Sequence, residues 1–276
     1  MAYCTHGKTR IYFEDTGQGE PIVAVHGLIE NTLYWKMAAE ILSKRCRFIS
    51  MDMRAHGRTV VEGEPCGYDA DTVSSDIITL ADHLKLGHFH LLTHSTSGFA
   101  AVRYAMEDSS RFATLILTNT GSATSPIPGD RELIRRFHES FARWFEKNDW
   151  DQVIVKIKKN PAPFFRGIME SGRAEELMSF SREMIGQGDR NLIAAFIRSF
   201  YTDPDPRVEG LRKITCPVLI IYGDKDDLFI ESSRLMAREI PGAQLREYKD
   251  AGHMTALETP GLLAGDVLSF IADHPA

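Results

Sequence analysis

The chain has 276 residues, of which 43% are hydrophobic and 25% charged, a globular balance that excludes intrinsic disorder and fibrous architectures. Lys and Arg number 32 against 38 Asp and Glu, so the formal charge is −6; with no basic run, nucleic acid and anionic membranes are excluded as partners and a small molecule is expected. Four scattered cysteines, no apolar h-region and no apolar run near the roughly 18 residues of a membrane span point to a cytoplasmic chain with neither disulfide framework nor structural zinc.

In chain order, Pro21–Val25 reads as a buried strand ending at His26-Gly27, followed by a helix near Thr32–Ser43 and a strand at Arg47–Met51. Asp71–Leu86 carries Val73, Ile77, Leu80, Ala81 and Leu84 at helical spacing. Strand His88–Thr93, helix Gly98–Met106 and strand Thr114–Thr118 come next. The alternation resumes at strand Pro217–Tyr222, helix Glu231–Glu239, strand Gln244–Tyr248 and a last helix near Pro260–Ala272. The pattern predicts an α/β fold with a mainly parallel, doubly wound sheet. Between Gly121 and Arg212 the alternation stops and the chain reads as an aromatic-rich helical insert. A loop at Ser125-Pro126-Ile127-Pro128-Gly129 opens it and another at Asp203-Pro204-Asp205-Pro206 closes it. The expected division is a core of residues 1–121 and 213–276 and a helical cap of residues 122–212.

The most informative stretch is Leu91-Leu92-Thr93-His94-Ser95-Thr96-Ser97-Gly98. An apolar strand runs into a tight turn bearing a serine, and a helix of small residues begins at once. Such a turn exposes the serine hydroxyl, and the helix N-terminus offers N–H donors and a positive dipole end to a developing oxyanion. The matching motif is Gly-x-Ser-x-Gly, but Thr93 and Ser97 stand at the glycine positions. A serine nucleophile needs a neutral imidazole as base, itself oriented by a carboxylate. His253 follows the last predicted strand, where a loop reaches the carboxyl edge of the sheet. Asp224, Asp226 and Asp227 follow the strand before it, and any of them could be the acid.

Taken together, these blocks resemble the α/β-hydrolase superfamily over about Arg10–Asp273. Val25-His26-Gly27-Leu28 looks like its His-Gly oxyanion turn, and Asp52–Thr59 like its D-x-R-G-x-G-x-S loop, with Ala55 and Thr59 as departures. Thr93–Ser97 resembles its nucleophile elbow, and Gly223–Asp227 with Ala251-Gly252-His253 resembles its acid and base loops. The resemblance implies a cap between the family's sixth and seventh strands. It further implies Ser95 as nucleophile, His253 as base and Asp226 as acid, with the N–H groups of Leu28 and Thr96 as oxyanion hole. Leu117–Gly121, where some members carry the acid, has no carboxylate. His94 and His56 are expected to be structural.

The function so implied is cofactor-free, metal-free hydrolysis of a carboxylic ester or lactone, with activity rising through the ionisation of His253. Alternatives are C–C bond hydrolysis or cofactor-free oxygen chemistry on the same triad, or a ligand receptor with little turnover. Phe137, Phe141, Trp144 and Phe145 share one helical face, so a substrate with an apolar portion is expected, with Phe141 and Trp144 in its binding site.

Overall fold

Successive residues of each central strand face opposite ways, and here both sets are apolar. The sheet is therefore buried on both faces. Ile22, Ala24, Leu92, Ile116 and Leu219 contribute to one core cluster, and Val23, Val25, Leu91, Leu115 and Ile220 to the other. The computed structural model describes residues 2–63, 66–121, 131–201 and 208–276, so both loops expected to border the insert, Ser125–Gly129 and Asp203–Pro206, lie outside the described residues.

Strands β1 (Ala2–His6), β2 (Thr9–Thr16), β3 (Pro21–Val25), β4 (Arg47–Met51), β5 (Val60–Val61), β6 (Phe89–His94), β7 (Phe112–Thr118), β8 (Val218–Gly223) and β9 (Gln244–Tyr248) form one sheet. Its order is β1-β2-β4-β3-β6-β7-β8-β9, with β5 paired to β2. From β4 to β9 neighbours pair in parallel; β2 pairs antiparallel with β1, β4 and β5. The order reverses around β3, so connections leave its two sides in opposite directions. Carboxyl-end loops open a crevice at such a switch point.

Helices α1 (Lys36–Leu42, after a 3-10 turn at Thr32–Trp35), α2 (Ala70–His83) and α3 (Thr96–Glu107) connect the first strands. Between β7 and β8 lie α4 (Arg131–Lys147), α5 (Trp150–Lys159), α6 (Arg166–Glu170), α7 (Ala174–Ile185) and α8 (Arg190–Phe200), where the sequence predicted helices. The chain closes with α9 (Ile230–Glu239), α10 (Thr255–Glu258) and α11 (Pro260–Ala272). The Asp69 side chain caps α2, and Asp149 and Gln152 form a reciprocal capping box on α5; each satisfies N–H groups that a helix start leaves open. The inserted helices reach the core through Phe145, Val153, Ile168, Met178 and Ile193. No helix among the described residues is long and apolar enough to cross a membrane.

Candidate active site

Ser95 sits between β6 and α3 with φ +50° and ψ −114°, a conformation that costs on the order of 1–3 kcal/mol in a residue with a side chain. The turn is held from several sides. Ser95 N–H donates to Thr118 O at 3.0 Å, and Ser95 O accepts from Gly98 N–H at 3.0 Å and from the Thr120 hydroxyl at 2.6 Å. A Cβ on Gly98 would lie 2.4 Å from Thr120 Oγ1, so glycine is required where α3 passes β7.

The two departures from the glycine pattern are accommodated by hydrogen bonds. Ser97 is fully buried; its hydroxyl donates to Val25 O at 2.7 Å and accepts from His94 N–H at 3.1 Å. It thereby ties the elbow to β3. Thr93 donates to Ile116 O at 3.2 Å. With Ser97 committed to backbone, Ser95 is the hydroxyl left at the apex, and among the described residues it makes no hydrogen bond.

His253 and Asp226 are brought together from the loops after β9 and β8. His253 Nδ1 lies 2.9 Å from Asp226 Oδ2, and both residues are buried. Burial, the largest single influence, pushes the His253 imidazole down, but the charge and hydrogen bond of Asp226 lead the opposing effects and the net direction is up. Of the three candidate acids, Asp227 is exposed and pairs with Arg166 at 3.1 Å, and Asp224 faces Lys249 at 3.6 Å.

Asn119 stands where some members of the family carry the acid. Its amide donates to Asp226 Oδ2 at 2.9 Å and to Gly252 O at 3.0 Å, while its oxygen accepts from the Thr255 hydroxyl at 2.8 Å. One buried amide thus joins the two loops. Glu258 holds the histidine loop from the other side, accepting from Gly252 N–H at 2.7 Å and Met254 N–H at 2.9 Å.

Leu28 lies in the turn after β3, and Thr96 is the first residue of α3. Among the described residues no protein acceptor takes either N–H. The turn is closed by His26 Nδ1, which donates to Gly27 O at 2.7 Å, and by Glu30 Oε2, which accepts from Gly27 N–H at 2.6 Å. His56 donates to Arg54 O at 2.7 Å and packs edge-on against Phe196; burial pushes its imidazole down to about 4. That fits a structural histidine. His94 does more: its ring stacks on Tyr34 at 4.3 Å and lies 4.7 Å from the His253 ring.

The aromatics near His253 differ from those expected. Phe164, from the segment between α5 and α6, has its ring 5.0 Å from that of His253, and Phe229 stacks on it at 5.2 Å. Tyr201, just after α8, shares a 2.6 Å hydrogen bond with the Thr96 hydroxyl. Phe141 and Trp144 instead pack against each other and Phe145, and Trp144 lines an outer groove with Arg135, Arg143 and Lys147. Helical spacing found their common face but not its surroundings: Phe145 is buried with Phe141 and Trp144 partly buried against the same cluster, whereas Phe137 is 66% exposed.

Comparison with known proteins agrees with this architecture. A family profile described as "alpha/beta hydrolase fold" matches residues 20–260. The chain is 28% identical to a non-heme chloroperoxidase of Kitasatospora aureofaciens, over 95% of this chain and 94% of that one. Among solved structures it superposes on a thermophilic esterase from Thermogutta terrifontis with TM-score 0.83 and 25% identity, covering 99% and 97% of the two chains. The enol-lactonase from Burkholderia xenovorans shares the fold, with TM-score 0.80, 22% identity and coverage of 98% and 99%. With the profile spanning the sheet from β3 to β9, the chain belongs to the alpha/beta hydrolase family.

Proposed function

We propose that the chain is a serine hydrolase of carboxylic esters or lactones, working without metal or organic cofactor through Ser95, His253 and Asp226. The observation that carries this reading is the buried His253–Asp226 pair, 2.9 Å apart, in loops at the same carboxyl edge of the sheet as a serine held at φ +50° with its hydroxyl uncommitted. His253 Nδ1–H is fixed on Asp226, which leaves Nε2 as the lone pair that can accept the Ser95 proton. Ser95 Oγ attacks the acyl carbon, and the oxyanion is received by the N–H groups of Leu28 and Thr96, worth about 3–4 kcal/mol per donor. The imidazolium returns its proton to the leaving oxygen; water then deacylates Ser95 by the same route.

Residues 122–212 are proposed to act as the cap, with Phe164 and Tyr201 as its contributions to the substrate site. The esterase and lactonase among the structural relatives favour an acyl substrate, and the apolar surfaces of Phe164 and Phe229 favour one with an apolar portion. The test is a panel of p-nitrophenyl esters and γ-lactones with the wild type and Ser95→Ala. Turnover of either class, absent in the variant, supports the reading; a wild type that turns over neither contradicts it. Because His253 must be neutral and its imidazole is held above its ordinary range, kcat/KM should rise with pH through a midpoint above about 6.5.

A further inference from the structure

Glu30 is a buried acid that the sequence leaves unremarked in a loop, and both of its oxygens face polar groups of the site. Its side chain is 2% exposed. Oε2 accepts the Gly27 N–H at 2.6 Å, one residue before Leu28. The same turn places Ile29 at φ +61°, a left-handed conformation that a β-branched residue adopts only under constraint. Ser95 lies alongside: a Cβ built on Gly27 would be 3.0 Å from Ser95 Cβ and 3.1 Å from Glu30 Oε2.

The other oxygen, Oε1, lies 3.2 Å from His94 Nε2, and hydrogen-bond bookkeeping fixes what passes between them. The Thr118 hydroxyl spends its proton on Thr93 O at 2.8 Å, so toward His94 Nδ1, 3.3 Å away, it can only accept. His94 Nδ1 therefore carries a proton, and because burial holds this imidazole well below its ordinary range it carries no second one, so Nε2 presents a bare lone pair. This Nε2 is buried and has no hydrogen-bond partner in the arrangement described. A carboxylate would set its own lone pairs against it, whereas a carboxylic acid can donate to it from Oε1 while accepting from Gly27 at Oε2.

We infer that Glu30 is a positioning residue whose un-ionised carboxyl group clamps the oxyanion turn to the His94 ring, so that its ionisation limits activity on the alkaline side. This rests on the serine-hydrolase reading above. The surroundings support the un-ionised form. Four titratable groups act around Glu30: His94 from the end of β6, His253 from the loop before α10, Tyr34 from the 3-10 turn before α1, and Tyr201 from the end of α8. Among the described residues no lysine or arginine faces it. Burial pushes the carboxyl up to about 8, against the Gly27 N–H and His253, which pull it down. Above that pH a negative charge stands beside the turn that must receive the oxyanion, and the clamp on His94 is lost.

Glutamine reproduces the un-ionised acid, since its carbonyl can accept from Gly27 and its amide can donate to His94, and it does not titrate. The experiment measures kcat and KM for p-nitrophenyl butyrate from pH 5 to 10 in the wild type, Glu30→Gln and Glu30→Ala. The wild type should give a bell, with kcat falling toward tenfold per unit above about pH 8. Glu30→Gln should stay within about threefold of the wild type at pH 7 and lose the alkaline fall, while Glu30→Ala should lose kcat by up to about 100-fold.

Thermal unfolding supplies a readout that does not depend on turnover. A carboxyl raised from 4.5 to about 8 in the folded state contributes stability that is complete below about pH 4.5 and is lost as pH rises through about 8. The Tm of the wild type relative to Glu30→Gln should therefore fall across that window. A glutamine variant as inactive as alanine, an alkaline fall that persists in Glu30→Gln, or a Tm difference independent of pH would overturn the inference. A wild type that neither turns over ester nor is labelled at Ser95 by a fluorophosphonate would sink the hydrolase reading itself, and the Tm difference distinguishes that failure from a failure of the clamp.

Discussion

Around Ser95 the polar groups are buried and bonded mainly to one another, with His94 Nε2 and Asp226 Oδ1 left over, whereas the helical insert carries its charges as pairs open to solvent. Asp226, His253, Asn119, His94 and Glu30 are all nearly inaccessible, and the bonds of Asn119 and Ser97 cross between separate strands and loops. In the insert, Arg198 pairs with Glu139 and Glu146, Arg166 with Glu170, and Arg173 with Glu176, each at the surface. An exposed pair is screened and contributes little, whereas orphaning one member of a buried set leaves a group that water cannot reach. The same side-chain chemistry therefore carries very different weight in the two regions.

The largest effect should come from the buried set. Ser95→Ala and Asp226→Asn should each lower kcat by about 10⁴-fold or more, with Ser95→Ala leaving the unfolding midpoint nearly unchanged. Next comes Asn119→Leu, close in size but without the amide. It strips a donor from Asp226 Oδ2 and Gly252 O and an acceptor from Thr255, and should cost about 2–4 kcal/mol in urea unfolding with a loss of kcat of tenfold or more. A stability change below 1 kcal/mol there would break the contrast between the regions.

Ser97→Ala leaves Val25 O and His94 N–H without the side chain that bridges them, and should cost about 1–3 kcal/mol while keeping kcat within about tenfold. Arg198→Ala, at a side chain 35% exposed, should cost less than about 1 kcal/mol, and high salt should shrink even that. For Trp144→Ala, lost packing on Phe141 and Phe145 should appear in Tm, while preference along an acyl series from acetate to octanoate stays as in the wild type. A changed acyl preference would return Trp144 to the substrate site.

The elements of the parallel sheet were legible in the sequence because a strand buried on both faces must be a short continuous apolar run. Pro21–Val25 and Arg47–Met51 coincide with their predicted bounds; so does Gln244–Tyr248, although it is a partly exposed edge strand rich in polar residues. Strands β1 and β2 escaped because at the edge of the sheet their apolar residues are interleaved with Thr5, Arg10 and Glu14. β5 is too short to carry a pattern. In the site, Ser95 and His253 could be nominated because their chemistry demands those residue types after strand ends, and an acid from Asp224, Asp226 and Asp227 likewise, but only the family resemblance singled out Asp226. Glu30 and Asn119 could not. An acid or amide in a loop is ordinarily solvated, and only the approach of distant β6, β7 and β8 makes these two buried partners. The spacing of Phe137 to Phe145 gave the amphipathic face of α4 but not the neighbour it faces, which is why Phe164 and Tyr201, not Phe141 and Trp144, stand beside His253 and Thr96.

The most direct test of the account is covalent. The protein is incubated with a fluorophosphonate at several pH values, the adduct is counted by intact mass, and its position is found by peptide mapping. One adduct per chain is expected on Ser95, forming faster as pH rises through the ionisation of His253 and absent in Ser95→Ala. An adduct on Ser97, or no adduct at any pH, would contradict it.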